Sequence, residues 1–350
     1  MYDAVHIVRQ VLLVRYSFQG VAYEQLFHNG QGYYLSLLDT SEHFYYNVDV
    51  DFESTDYKLR MAVGTVVPAL LKWIGNKQRF ADTIVSYMPD RFNNYYEPFL
   101  GSGAVLAELL SKDQGSLFPH FNHAYASDVL PFLIDIFGMV KDDPNKIVEY
   151  YSDEIEKYYT NPEKQYETIR DRFNQNHNAL DFCLLSRTCY SGVIRFRKAD
   201  GYMSTPRGPH RPINPYTFKR RVEKWSDLIQ KADFNTESFE LAMSKPTAGD
   251  VVYCDPPYTH SQGIIYGAQS FNIETLWDKI AECKSRGAHV MLSINGTRES
   301  KKKDISVEAP AGLFEREILV NCGTSMIDRL QNSGKEMENA VVHDKLLLTW

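Results

Sequence analysis

The sequence predicts an α/β fold built on a largely parallel β-sheet, and three observations support this prediction. From about residue 66 onward, apolar runs typical of buried strands alternate with stretches of helical periodicity. One run passes directly into a glycine-bearing turn at residues 101–103, and two other runs end in an acidic residue. Because strands that alternate with helices usually pair in parallel, we expect the ligand-binding side chains at the strand ends.

The first 60 residues differ from the rest of the chain. They hold twelve aromatic residues, and the alternating stretches Val5–Val14 and Phe44–Phe52 suggest a few strands joined by turns. No catalytic pattern is found in this part. We expect residues 1–65 to form an N-terminal extension or a small accessory subdomain.

The elements of the main sheet follow in chain order as short apolar runs bounded by turn residues. The predicted strands are Asn94–Leu100, Ala124–Asp128, Val251–Cys254, His289–Ile294, Arg316–Val320 and Lys345–Thr349. The predicted helices are Ala104–Leu110, Phe132–Val140 and Ile273–Arg286, with a polar and mainly helical stretch from Asp142 to Asn178.

The distribution of charge singles out one segment of the chain. The net charge is −7, but the window from Arg187 to Trp225 holds ten basic and two acidic residues. This basic window therefore carries +8, and the remainder carries −15. Because binding to a phosphate backbone depends on a local patch rather than on the total charge, nucleic acid is a candidate partner. The alternative is a solvated charged face.

Composition argues against several other classes of protein. A hydrophobic content of 43% and a charged content of 24% are ordinary globular values. No apolar run approaches the length of a membrane helix, and the N-terminus does not resemble a signal peptide. The five cysteines contain no C-x-x-C pair, which favours reduced thiols and a cytoplasmic location. The histidines do not cluster, so we expect no metal site.

The first motif with chemical meaning is Glu97–Ala104, where a predicted strand enters a glycine-bearing turn that opens a helix. The glycines allow backbone to approach a ligand closely, although plain tight turns also contain such glycines. Asp128 lies 25 residues after Gly103, at the end of the next predicted strand. A carboxylate in this position binds ribose hydroxyls in dinucleotide-type sites.

The second motif is Asp255-Pro256-Pro257-Tyr258, directly after the predicted strand Val251–Cys254. Two prolines hold the backbone extended and leave two positions without an N–H donor. The Asp255 carboxylate and a nearby carbonyl can accept from an amino group, and Tyr258 offers a face for stacking. The motif therefore predicts a receptor for an amine on a planar ring, with a simple proline turn as the alternative.

Together these motifs resemble the Dam-type, alpha-group N6-adenine-specific DNA methyltransferases. Lys72–Lys77 (Lys-Trp-Ile-Gly-Asn-Lys) is similar to the N-terminal cofactor motif of that family, Glu97–Ala104 to its E-P-F-x-G-x-G-A loop, and Asp255–Tyr258 to its D-P-P-Y motif. In that family the cofactor motifs precede the target-recognition domain, and the catalytic motif follows it. The basic window lies in the corresponding place, and the resemblance covers roughly residues 68–350.

The resemblance implies a Rossmann-like, S-adenosylmethionine-dependent methyltransferase sheet, with residues 66–140 and 235–350 forming the catalytic domain. It also implies an inserted, mainly helical target-recognition domain over residues 141–234 that carries a β-hairpin. The Asp-Gly pair at residues 200–201 is typical of a hairpin turn. Ser191 replaces an Asn that is usual in the family, so the resemblance does not extend to the recognised DNA sequence.

The resemblance also implies roles for single residues, with S-adenosyl-L-methionine as the methyl donor and no metal. The implied cofactor-binding residues are Trp73, Lys77, Glu97, Pro98, Phe99, Gly101, Gly103, Asp128, Ser238, Phe239 and Asp255. The implied catalytic residues are Asp255, Pro256, Pro257 and Tyr258. The implied DNA-binding residues are Tyr190, Arg195, Arg197, Lys198 and Arg207.

The implied reaction is methyl transfer to the N6 nitrogen of adenine in duplex DNA. The lone pair of this nitrogen is delocalised into the ring. Hydrogen bonds to the Asp255 carboxylate and the Pro256 carbonyl would favour a tetrahedral nitrogen and direct in-line attack. The base must be flipped out of the duplex to be reached, and Tyr258 would stack on it. Family enzymes that act on cytosine N4 usually have Ser in place of Asp255, so the motif favours adenine.

Other hypotheses remain at this point. The chain could be an RNA adenine-N6 methyltransferase, or a catalytically idle DNA-binding protein on the same scaffold. A nicotinamide-dependent dehydrogenase would share only the glycine turn and would require a third glycine that is absent here. As a DNA methyltransferase, the protein would be the modification enzyme of a restriction–modification system or would serve a related epigenetic role. It would then share its site with a cognate endonuclease and act as a monomer or weak dimer.

Overall fold

The computed structural model describes most of the chain after residue 66 and four strands before it. The described residues are 67–73, 75–114, 116, 118–257, 271–298, 309–324 and 341–350, together with the backbone of the strands within residues 1–66. Two compact units are present, Met1–Val66 and Val67–Trp350. The further division of the second unit into a catalytic part and an inserted domain stays a prediction.

The first unit contains four antiparallel strands that pair in chain order. They are β1 (Tyr23–His28), β2 (Tyr33–Leu37), β3 (Phe44–Asp49) and β4 (Arg60–Ala62). The alternating stretch Phe44–Phe52 is confirmed as a strand in β3, and Val5–Val14 lies outside the described residues.

The second unit is built on a seven-stranded sheet with the order β10-β11-β9-β8-β5-β6-β7. Its strands are β5 (Asn94–Glu97), β6 (His123–Asp128), β7 (Ala232–Thr236), β8 (Val251–Cys254), β9 (His289–Arg298), β10 (Arg316–Thr324) and β11 (Val341–Leu348). Strands β5 to β9 pair in parallel, whereas β11 is antiparallel to both β9 and β10. The six strands predicted for this sheet are all present, and the mixed α/β class is confirmed.

The helices of the second unit mostly begin at residues suited to a helix start. They are α1 (Ala81–Ser86), α2 (Ala104–Gln114), α3 (Pro131–Asp142), α4 (Pro144–Thr160), α5 (Pro162–Asn176), α6 (Ala179–Thr188), α7 (Pro215–Leu228), α8 (Phe239–Ala242) and α9 (Ile273–Ser285). Proline stands at the start of four of these helices, where its missing N–H costs no hydrogen bond. Asparagine side chains cap α5, α6, α7 and α9.

The order of the strands fixes where a ligand can enter the sheet. Strand β5 lies between β6 and β8, and the direction in which the chain winds reverses between β5 and β8. All four residues of β8 are buried, as expected for a central strand covered on both faces. In open α/β sheets the crevice at such a reversal, outside the carboxyl ends of the strands, is where ligands bind.

Strand β7 was not predicted. It pairs in parallel with β6 from Ala124↔Ala232 to Asp128↔Thr236, at the outer edge of the sheet. Only Ala232 is fully buried within it, so the strand lacks the continuous apolar run that marks the central strands. Its role is to bring the segment that follows, with Ser238 and Phe239, to the carboxyl edge of the sheet.

The segment between α6 and α7 contains the residues expected to form a β-hairpin. Two isolated antiparallel bridges are present, Cys189↔Arg207 and Phe196↔Met203. A turn joins the second pair, since the Gly201 N–H donates to the Arg197 carbonyl at 2.8 Å. The bridges do not extend into strands within this described segment, so the hairpin is not confirmed. No helix among the described residues is long and apolar enough to cross a membrane.

A buried carboxylate holds the helices α4, α5 and α6 together. The Asp181 side chain is 1% exposed and accepts two hydrogen bonds from Arg172 Nε at 2.9 and 3.0 Å. It also accepts from the amide of Asn178 and from the Tyr150 hydroxyl. Since a buried charge needs such partners, this cluster decides the relative placement of the three helices.

Asp181→Ala tests this cluster. The substitution leaves the Arg172 guanidinium without its main partner, so we expect a loss of about 3 kcal/mol in the free energy of unfolding. Urea denaturation measures it. Asp82→Ala, which removes an exposed pair with Lys112, is the control and should cost less than about 1 kcal/mol. Equal losses in both variants would contradict the role given to Asp181.

Candidate active site

A cavity of about 240 Å³ opens at the carboxyl ends of strands β5, β6 and β8. Every expected cofactor-binding residue except Gly103 lines it, and so do Pro256 and Pro257. Tyr258 lies outside the described residues. The structure therefore brings together residues that are as far apart in the chain as Trp73 and Pro257.

The glycine turn between β5 and α2 forms one wall of the cavity. Gly101 and Gly103 have φ angles of +49° and +68°, which residues with a Cβ rarely adopt. A Cβ on Gly101 would lie 3.0 Å from Trp73 Nε1, and one on Gly103 would lie 3.3 Å from the ring of Trp225. Glycine is therefore needed at both positions for two reasons, the positive φ angles of the turn and the close contacts with Trp73 and Trp225. Gly103 acts in packing and does not line the cavity.

Asp128 at the end of β6 holds the glycine turn in place. Its carboxylate accepts from the Gly101 N–H at 3.1 Å and from the Leu130 N–H at 3.2 Å. Desolvation raises the pKa of Asp128 to about 6, although these backbone hydrogen bonds oppose the shift. Each carboxylate oxygen has a second lone pair. The side chain can therefore also accept hydrogen bonds from hydroxyl groups of a ligand.

Glu97 at the end of β5 is a buried carboxyl group on the floor of the cavity. It is 3% exposed and accepts a hydrogen bond of 2.8 Å from the Tyr95 hydroxyl. Desolvation raises the pKa of Glu97 to about 8, and the charge of Asp255 also raises it. Glu97 is therefore mostly protonated near neutral pH.

The Lys77–Asp255 ion pair joins two motifs that are 178 residues apart in the chain. The ammonium of Lys77 lies 2.8 Å from Asp255 Oδ1, and the two side chains are 7% and 20% exposed. Asp255 directly follows β8, and the extended residues Pro256 and Pro257 continue along the cavity. The ion pair fixes the orientation of the Asp255 carboxylate at the carboxyl end of β8.

Three phenylalanines form an apolar wall of the cavity. Phe99 stacks on Phe239 with ring centroids 5.2 Å apart, and Phe271 meets Phe99 edge-on at 5.9 Å. Sequence reasoning missed Phe271 because it belongs to no motif. Its position just before the Asn272 cap of α9 was the only signal.

The residues expected to bind DNA lie outside the cavity, on the segment between α6 and α7. Tyr190 is 44% exposed, and Arg195 and Lys198 are also exposed. Arg197 forms an ion pair with Asp200, and Arg207 forms one with Glu163, each at 2.6 Å. These two arginines are therefore already held in place by acidic neighbours.

The count of ten basic residues overstates the charge at the surface of the basic window. Arg187 is 3% exposed and donates to the Leu70 carbonyl, and Arg221 donates to the Ala69 carbonyl at 2.8 Å. Arg187 therefore contacts the backbone inside the protein, whereas Arg221 does so from a half-buried position. A count of charges in the basic window does not reveal these contacts.

The described residues contain no group of three His, Cys, Asp or Glu side chains that could hold a metal ion. Cys183, Cys189, Cys254 and Cys283 are buried, and desolvation raises the pKa of Cys254 well above its ordinary value. Cys254 is therefore a packed thiol of β8 rather than a nucleophile.

A doubly wound sheet with a cavity at its winding reversal defines an α/β protein of the nucleotide-cofactor-binding class. Residues 73–318 match the family model of the D12 class N6 adenine-specific DNA methyltransferases. The chain belongs to this family, and the resemblance to Dam-type enzymes is confirmed. The family implies S-adenosylmethionine as methyl donor and DNA as substrate.

Curated relatives agree with this assignment. The chain is 28% identical over 250 residues to a DNA adenine methylase of Vibrio cholerae, covering 67% of this chain and 83% of that protein. It is 30% identical over 254 residues to the Type II methyltransferase M.MjaIII of Methanocaldococcus jannaschii, covering 65% and 84%. It is also 30% identical over 195 residues to the retron Ec67 DNA adenine methylase of Escherichia coli, covering 54% and 63%. The predicted adenine-specific DNA methyltransferase activity is confirmed.

Glu97→Gln tests the protonation state of the cavity floor. The Glu97 carboxyl group titrates near pH 4.5 in the unfolded chain and near 8 in the native protein. Between these two pH values, the native state therefore binds one proton more than the unfolded state. Stability therefore falls as pH rises from about 5 to about 8, by up to about 1.4 kcal/mol per pH unit.

The variant lacks this titration and keeps a side chain that can accept from Tyr95. We expect the wild type to lose stability relative to Glu97→Gln across this pH range, as measured by urea denaturation at four pH values. Asp128 titrates in both proteins, so the difference isolates Glu97. If the stability of the two proteins changed with pH in parallel, Glu97 would be ionised in the native protein.

Proposed function

We propose that the chain methylates adenine N6 in duplex DNA by base flipping and direct in-line transfer, with Asp255, Pro256, Pro257 and Tyr258 as its catalytic residues. The observation that carries this assignment is the shared cavity. The Lys77–Asp255 pair and the two prolines line the same space as the glycine turn and Asp128.

The residues of the cavity fit S-adenosylmethionine. The phenylalanine wall suits a purine ring, the spare lone pairs of Asp128 suit ribose hydroxyls, and the carboxyl group of Glu97 suits a cationic ligand. Lys77 would lie near the methionine carboxylate, and the glycine turn would lie under the cofactor. When bound, the cofactor supplies a methyl group activated by a positively charged sulfonium.

The chain's own contribution to the reaction is to hold the amino group of adenine. The Asp255 carboxylate and the Pro256 carbonyl each accept from one amino proton, so the lone pair on nitrogen points away from both. On accepting the methyl group, the nitrogen would lose one proton along its hydrogen bond to Asp255. Lys77 orients that carboxylate, so the two acceptors are in place before the base arrives.

Access to the amino group requires the adenine to leave the base stack. In a duplex, the edge of adenine that carries N6 is paired and stacked, so the base must rotate out of the helix before a side chain can reach N6. Tyr258 would stack on the flipped ring. Direct transfer of this kind requires neither a metal ion nor a covalent intermediate, so we propose a metal-free reaction.

Residues 141–234 are proposed to form the inserted target-recognition domain, between catalytic parts at residues 66–140 and 235–350. Exposed Tyr190, Arg195 and Lys198 are its candidates for base and phosphate contacts. Arg197 and Arg207 would join them after exchanging their present acidic partners for phosphate.

The biological setting that we propose is a restriction–modification system in the cytoplasm. The printed name of the Methanocaldococcus jannaschii relative, a Type II methyltransferase, supports this setting. The partner would be an endonuclease that cuts the same DNA sequence. Direct transfer needs one active site per target base, so a monomer or weak dimer suffices.

Asp255→Ala tests the proposed amine receptor. The variant should keep the ability to bind S-adenosylmethionine but lose at least about 100-fold in turnover, because a positioned acceptor is missing. Labelled cofactor, duplex DNA or duplex RNA, and identification of the methylated base measure this. Asp153→Ala, an exposed site on α4, is the control. Near-full activity of Asp255→Ala, or label in N4-methylcytosine or only in RNA, would refute the proposal.

Lys198→Gln and Arg195→Gln test the DNA contacts. Each variant should bind duplex DNA less tightly and lower the slope of log K against log salt by about one if its side chain contacts one phosphate. Fluorescence anisotropy at several salt concentrations gives the slope. Lys112→Gln on α2 is the control and should leave it unchanged. Slopes equal to that of the wild type would exclude phosphate contacts at residues 195 and 198.

A further inference from the structure

A short segment just before the cavity is held by three side chains of the proposed recognition domain. The backbone carbonyls of residues 68–70 all accept hydrogen bonds from these side chains, and that of Ala69 also accepts a longer one from Arg187 at 3.5 Å. Trp225 Nε1 donates to the first at 2.8 Å, Arg221 to the second at 2.8 Å, and Arg187 to the third. Two of these donors lie on α7 and one lies on α6.

Two further close contacts join the proposed recognition domain to the motifs around the cavity. The ring of Trp225 lies against Gly103, so that a Cβ there would be 3.3 Å from it. Gly192, in the segment after α6, lies so close to Lys72 that a Cβ on it would be 3.1 Å from the Lys72 Cβ. Thus the glycine turn packs against α7 of the proposed recognition domain, and the segment that leads to Lys77 packs against Gly192 just after α6.

The electrostatics of this contact are costly for a purely structural role. Arg187 and Arg221 are like charges in a desolvated place, where they donate to neutral carbonyls. Desolvation, and then the neighbouring charge of Arg187, lower the pKa of Arg221. Apolar side chains of similar volume would fill the same space without the cost of burying two charges. Apolar side chains would not, however, supply directional hydrogen-bond donors, which fix the backbone path of residues 68–70.

The path of this segment matters because it decides where Lys77 lies. Lys77 is the seventh residue after Leu70. Beyond it, the Phe80 N–H donates to the Lys77 carbonyl at 2.8 Å, just before α1 begins. The segment is thus held on one side by α6 and α7 and on the other by α1. Lys77 between them reaches Asp255 at 2.8 Å.

We propose that Arg187, Arg221 and Trp225 are positioning residues that place Lys77 against Asp255, and thereby couple the recognition domain to the catalytic pair. The inference rests on the proposed function. It separates the basic window into two groups. Arg195 and Lys198 contact DNA. Arg187 and Arg221 instead contact the backbone of residues 69 and 70, so the position of α6 and α7 determines where Lys77 lies.

The test uses Arg221→Met and Trp225→Phe, which each remove one donor and keep most of the apolar volume. Hydrogen exchange of the amides in residues 67–80 should become at least about tenfold faster in both variants, since a hydrogen bond holding the segment is lost. The methylation rate in a single turnover should fall about tenfold, while the salt slope of DNA binding stays at the wild-type value. Arg221→Lys, which keeps a donor, should recover most of both losses.

A double-mutant cycle with Lys77→Met separates positioning from general stabilisation. If Arg221 acts through Lys77, Arg221→Met should cause little further loss of rate once Lys77 has been replaced. Arg286→Met is the matched control. This arginine also donates to backbone carbonyls, those of Met243 and Pro246, but it does so away from the segment. It should leave exchange in residues 67–80 unchanged, and its effect on rate should multiply with that of Lys77→Met.

Each of three results would overturn the inference. The first is unchanged hydrogen exchange in residues 67–80, and the second is a full tenfold loss of methylation rate that multiplies with the loss in Lys77→Met. The third is a salt slope of DNA binding that is lowered by about one in Arg221→Met. The last result would make Arg221 a phosphate contact. The exchange readout does not depend on catalysis. A wild-type protein that forms no N6-methyladenine would refute the proposed function, whereas exchange would still decide the role of the three residues.

Discussion

The ion pair between Lys77 and Asp255 is the contact on which the other features of the site depend. A mostly buried ammonium and carboxylate are stable only when each has the other at close range. At 2.8 Å, the pair requires the segment before α1 and the end of β8 to meet at one edge of the sheet. The reversal of winding between β5 and β8 creates that edge, and the buried run of β8 delivers the carboxylate to it.

The remaining charges of the cavity follow from the same geometry. Glu97 and Asp128 end neighbouring parallel strands, and desolvation raises the pKa of both. Besides the Lys77–Asp255 pair, the cavity therefore contains two buried carboxyl groups, those of Glu97 and Asp128. A ligand that brings its own positive charge and its own hydroxyl groups supplies what these two carboxyl groups lack. S-adenosylmethionine, which the family implies, carries both.

Much of this arrangement could be predicted from the sequence, because its elements are marked by local signals. Strand β8 and the turn after β5 stand out through short apolar runs that end at prolines or glycines. Strand β7 and Phe271 escaped prediction, since an edge strand has little apolar character and a lone aromatic residue belongs to no motif. The inward direction of Arg187 and Arg221 could not be read from charge, because only packing distinguishes a guanidinium on a carbonyl from one that faces solvent.

The most direct test of this account is a crystal structure of the protein with a non-reactive S-adenosylmethionine analogue and an adenine-containing duplex of its recognition sequence. We expect the analogue in the cavity, with its ribose hydroxyls at Asp128 and its purine against the Phe99–Phe239 pair. The target adenine should be out of the duplex, with N6 within hydrogen-bond distance of Asp255 and Pro256. An analogue bound outside this cavity, or an N6 that lies away from Asp255, would contradict the account.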